Sequence, residues 1–298
     1  MFTVFEFLDR QFTTPLQQFI SSGTTGISSW ITAPLTAALS LYIILYGYLV
    51  LRGHVQDPIM EFAFRGIKLV IILTLVRSSG DYQFYVSNIF FETLPLELSQ
   101  ALNSGGAPSA STFDGLLDKG QMAANDIWAR ASWPIDPLSS FAGLMIIVVT
   151  FIVASIGYVV SLYARVALAV VLALGPIFIA LALFQSTRRF TEAWLGQLAN
   201  YVILQVLVVA VGSLLVGSFA TMFTTIESYE DVLMRPIAVG AIGLASFYIF
   251  YQLPGIASAL ASGGASLSYG FSTGRDAHQS AVAKTFGWSL RKITGKKI

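Results

Sequence analysis

Long apolar runs are what most constrain this chain, and the charges collect at the ends of those runs. Strong apolar stretches cover about 31–51, 59–76, 138–184, 198–223 and 236–253, the third long enough to count as two. A helix needs about 20 apolar residues to cross a bilayer, so most of these runs qualify. Hydrophobic residues make up 55% of the chain and charged residues only 11%. Soluble domains carry about twice that charge. The expected fold class is therefore all-α, a polytopic helical membrane protein.

The second run is the poorest, because Arg65 and Lys68 interrupt it. Glu61 and Arg65 are four apart, which places an ion pair on one helical face. The stretch 138–184 admits two readings. It turns near Arg165 and crosses twice, or it crosses once as a long helix, projecting from the membrane or broken at Gly175-Pro176. Basic residues mark the cytoplasmic side of a membrane protein. With one crossing and an outside N-terminus, Arg52, Arg188, Arg189 and the tail (Arg275, Lys284, Arg291, Lys292, Lys296, Lys297) all fall inside. The acidic residues Asp81, Glu92, Glu97, Asp114, Asp118, Asp126 and Asp136 then fall outside. Two crossings would push one basic cluster outward. The charges thus favour five crossings, N-out and C-in.

The resulting domain plan has five parts: an amphipathic periplasmic or interfacial segment at 1–30, two membrane helices at 31–76, and a periplasmic loop at 77–137. A transmembrane core at 138–253 follows, then a Gly/Ala/Ser-rich segment and basic cytoplasmic tail at 254–298. In the first segment, Phe2, Phe5, Phe12, Leu16, Phe19 and Ile20 fit one helical face. The loop is expected to hold a helix from about Phe113 to Ala131, with Ile127, Trp128 and Trp133 as apolar anchors. Asp57-Pro58 and Asp136-Pro137 read as helix starts. Glycines and serines within the spans, among them Gly157, Gly212, Gly217, Gly240 and Gly243, suit close helix packing; lining a polar path is the alternative.

The chain offers no catalytic set. It has no cysteine, two isolated histidines, no phosphate-cradling glycine loop, no His-Glu-x-x-His and no nucleophile elbow. A non-enzyme without catalytic residues, cofactor or metal is the expectation. Arg165 stands out, because a charge at membrane depth costs about 3 kcal/mol on insertion scales. It needs a structural partner, a wet cavity or a subunit interface.

One segment carries a resemblance. Leu174-Gly-Pro176 closes an apolar helix, Arg188-Arg-Phe190 follows, and Trp194-Leu-Gly-Gln-Leu-Ala-Asn200 opens the next span. This pattern resembles the polytopic inner-membrane subunit of bacterial type IV secretion systems, the TrbL-like conjugal transfer family. The likeness covers most of the chain, strongest from about Pro137 to Gly270. It implies an inner-membrane structural or channel component that assists translocation of DNA–protein or protein substrates and pilus biogenesis. It also implies a set of partners: the lipid bilayer, other copies in a homo-oligomer (a ring of five by analogy), the minor pilin and pilus subunits, and the bitopic scaffold and core-complex subunits. Secretion ATPases would act indirectly, and translocated substrate would touch the subunit transiently. By the same analogy, Trp128 and Trp133 would meet substrate or a periplasmic partner, and Arg188, Arg189 and Trp194 would sit at the cytoplasmic face. The plainer readings are topology setting for the arginines and interfacial anchoring for Trp194. A secondary transporter for a small solute is the rival function; Gly175-Pro176 could be its broken helix, but no matching break or repeat occurs elsewhere.

Overall fold

The computed structural model describes residues 3–52, 59–102, 109–130, 137–226 and 234–262. Among them every regular element is helical. The helix α1 (Val4–Leu51) is followed by α2 (Ile59–Arg77) and a short α3 (Ser79–Tyr82). Two π-helical turns, Gln83–Ser87 and Ile89–Thr93, lead into α4 (Leu94–Leu102). Then come α5 (Ser109–Arg130), α6 (Pro137–Ala173), α7 (Gly175–Leu181), α8 (Arg188–Ile226) and α9 (Met234–Ala261).

Among the described residues, four helices are long and apolar enough to cross a membrane: α1, α6, α8 and α9. The expected fifth, α2, is 19 residues long and more highly charged, with Glu61, Arg65, Lys68 and Arg77. The side chains of Glu61 and Arg65 lie outside the described residues, as do Trp133, Asp57-Pro58, Asp136, the patch 103–108 and the basic tail.

Several expected boundaries move. Segment 1–30 is not separate from the first span; one 48-residue helix runs through Pro15 and Pro34. Its buried residues, Phe5, Ile20, Thr24, Ser28, Leu35 and Leu39, replace the expected phenylalanine face, since Phe12 and Phe19 are exposed. No turn forms at Arg165, because α6 is continuous for 37 residues, about 55 Å. The break falls instead at Gly175-Pro176. The last helix passes through Pro254 and ends at Ala261.

Two apolar clusters stack along α6 and α8. One gathers Phe113, Leu116, Ile146, Val153, Leu204, Val208, Phe219 and Phe250. The other gathers Ile20, Leu39, Ile72, Tyr82, Leu168, Leu172, Trp194 and Leu198. The helix α5, read from sequence as part of a water-facing loop, is buried on one side against α6, α8 and α9. It runs antiparallel to α6, with Trp128 over Gly143, Gly120 against Thr150 and Phe113 against Gly157. These contacts need missing side chains. A Cβ on Gly157 would come within 2.3 Å of the Phe113 ring and 2.8 Å of Phe250. Close packing likewise explains Gly212 and Gly243, whereas Gly217 and Gly240 face open space.

Candidate functional site: a repaired helix break and a polar seam

The break between α6 and α7 follows from Pro176. Proline has no N–H, so the Leu172 carbonyl four residues earlier loses its helical donor. In lipid such an orphan must be satisfied by a neighbour. The buried Tyr82 hydroxyl donates to it at 2.7 Å. Gly175 makes that approach possible, since a Cβ there would fall 1.9 Å from the Tyr82 oxygen. Trp194 Nε1 donates to the adjacent Val171 carbonyl at 2.9 Å, and its ring stacks on Phe178 at 6.0 Å. Further along, Thr191 donates to the Phe178 carbonyl, Thr187 to Leu181 and Lys68 Nζ to Ala182, at 2.6, 2.6 and 2.8 Å. Lys68 thereby places a cation at the C-terminal end of α7, where the helix dipole favours it. Five side chains, from α2, α3, α8 and the turn that precedes α8, hold one broken helix.

A polar seam joins α1 to the rest of the bundle. Asp114, buried on α5, accepts from the N–H groups of Phe5 and Glu6 at 3.0 and 2.9 Å. It caps the start of α1 across 109 positions of sequence and supplies the negative charge that a helix N-terminus attracts. Arg165 meets Asp9 in a partly buried ion pair. One turn and then another further along α1, Thr13 and Gln17 continue the stripe. Gln17 donates to Glu92, and Gln83 donates to Ser21 at 2.9 Å. Beside the Asp9–Arg165 pair lies a cavity of about 290 Å³. Gln205 lines it from α8, and its Nε2 has no hydrogen-bond partner although the residue is only 5% exposed. A buried amide of this kind in a roomy polar cavity is a binding point for water. The seam has hydrogen-bonding capacity and charge, and it offers no nucleophile with an activating base.

The sequence-selected residues separate accordingly. Arg165 finds its partner in Asp9, which explains its depth. Trp194 is 5% exposed and sits in the core, so interfacial anchoring does not describe it. Arg188 and Arg189 open α8 at the surface; Arg188 pairs with Glu192 at 2.9 Å and Arg189 lies 5.0 Å from the Phe190 ring. Trp128 is 37% exposed, with Nε1 3.5 Å from the Ser140 carbonyl. None of these clusters with another. Sequence reading missed Asp9, Tyr82, Asp114 and Gln205. The available signal was thin: Asp9 and Asp114 are acids amid buried apolar neighbours, and Pro176 demands a donor without naming it.

Comparison with known proteins adds what geometry cannot. Residues 39–253 match the family described as TrbL/VirB6 plasmid conjugal transfer protein. The type IV secretion system protein VirB6 of Bartonella henselae is 34% identical across 100% of this chain and 96% of its own length. Its counterpart in Bartonella quintana is 33% identical across 96% of this chain and 92% of its own. Protein VirB6 of Agrobacterium tumefaciens is 28% identical across 72% of each.

Proposed function

This chain belongs to the TrbL/VirB6 family of plasmid conjugal transfer proteins, a type IV secretion system component, and we propose that it serves as a non-enzymatic structural and channel subunit of the bacterial inner membrane. It is a multi-pass membrane protein. In the proposed role it assists translocation of DNA–protein or protein substrates, supports pilus biogenesis and works as an oligomer beside pilins and envelope scaffolds. The end-to-end likeness to the Bartonella protein carries this reading, because it extends over the seam-forming α1 and α5 as well as the apolar spans. The broken, side-chain-braced helix and the α1 seam fit a subunit that holds a fixed shape among partners. Trp128, half exposed on α5, and the surface pair Arg188 and Arg189 are the proposed contact points.

Gentle detergent extraction followed by identification of bound proteins tests this. Pilin-like and scaffold subunits should co-purify, and deletion of the gene should abolish transfer and pili. Solute uptake by liposomes containing the purified protein alone would overturn the proposal in favour of a transporter.

A further inference from the structure

The α1–α2 pair encloses a groove of about 530 Å³ that plays no part in the seam or the repaired break. The two helices run antiparallel along it, from Thr36 to Gly47 on one wall and from Gly66 to Arg77 on the other. Eleven residues at about 1.5 Å each make it about 17 Å long. Its middle is walled by leucine, isoleucine and valine side chains together with Tyr42 and Tyr46. Its two ends differ. At one end stand Arg77 and the hydroxyls of Thr36 and Ser40, with no carboxylate among the described lining residues; at the other, Gly47 and Gly66 have nothing within 4 Å of where a Cβ would sit.

We propose that this groove binds one phospholipid with an anionic headgroup, its phosphate at Arg77 and one acyl chain laid toward Gly47 and Gly66. Two features select this occupant. The apolar core of a bilayer is about 30 Å thick, so one leaflet's chains extend about 15 Å, close to the groove's length. Among the described lining residues the one charge is that of Arg77, which matches a molecule with an anionic head and a long apolar remainder. The surroundings agree: the apolar half of α1 is only 11% buried and faces outward into whatever surrounds the protein.

The test uses the full-length protein extracted in mild detergent and incubated with phosphatidylglycerol or phosphatidylcholine, with bound lipid counted by native mass spectrometry. Wild type should retain one phosphatidylglycerol per chain. Gly66→Leu, or Gly47→Leu from the opposite wall, should lose it at least several-fold, while Gly26→Leu, at an open position outside the groove, should keep it. Arg77→Gln should retain lipid but lose its preference for phosphatidylglycerol by about fivefold, the contribution of one basic residue at an anionic surface. A photoreactive acyl chain gives a readout that needs no variant; in wild type it should label 36–47 and 66–77. Labelling elsewhere, no retained lipid, or unchanged retention in folded Gly66→Leu or Gly47→Leu would overturn the assignment. Disulfide capture of Ile43→Cys to Val70→Cys between copies, with lipid absent, would give the groove to a second subunit instead.

Discussion

Tyr82 and Trp194 act at single carbonyls, so their effects should be separable from packing. Tyr82→Phe keeps the ring and removes the hydroxyl that donates to Leu172 O in place of the missing proline N–H. A buried acceptor left without a donor costs about 1–3 kcal/mol. The variant should therefore melt earlier in detergent than wild type, whereas Tyr85→Phe, at an exposed ring, should not. Equal melting of the two would show that the Leu172 carbonyl does not depend on Tyr82. The Asp9–Arg165 pair makes a second residue-scale prediction. Removing one partner strands a partly buried charge; removing both does not. Arg165→Leu and Asp9→Leu should each destabilise by about 2 kcal/mol, on the scale of a charged hydrogen bond. The double variant should recover much of the loss in the same thermal scan. If the losses simply add, the pair is not coupled.

Between elements, glycine decides where helices meet. Gly157→Ala puts a methyl group into the rings of Phe113 and Phe250, and overpacking of this kind costs about 1–3 kcal/mol. Gly217→Ala meets nothing and gains helix propensity, so it should be neutral or stabilising. Melting temperatures of the two variants check this, and Phe113→Leu should partly rescue Gly157→Ala. At this scale the apolar spans were legible in sequence, because hydropathy is a local property and the ends at Leu51 and Pro137 follow from local signals. The burial of α5 was not. Its outer face carries Asp118, Lys119, Gln121, Asn125 and Asp126, which reads as a solvated helix. Its inner stripe of Ala110, Phe113, Leu117, Ala124 and Ile127 gains meaning only once Gly157 and Gly212 are known to lie opposite. The seam was illegible for a similar reason. Asp9 and Arg165 are 156 positions apart, and no local pattern in either segment names the other.

For the whole molecule, charge bias predicts orientation. With α2 as a fifth crossing, reporter fusions after Asn103 should read periplasm, and fusions after Arg189 and Lys297 should read cytoplasm. A periplasmic signal at Arg189 would require a different number of crossings. Internal architecture adds a constraint that fusions alone do not test. The first 20 residues of α1 are fixed to the bundle by Asp114, by Arg165 and by the contact of Gly23 with Ala173 at 3.0 Å from a would-be Cβ. Leu35 and Leu39 are buried further along the same helix. A continuous helix of 48 residues is about 72 Å long, over twice the apolar core of a bilayer. Pinned at Asp9 and again at Leu39, about 45 Å apart along its axis, it works as a strut across both apolar clusters, so a partner that grips either end meets the whole bundle.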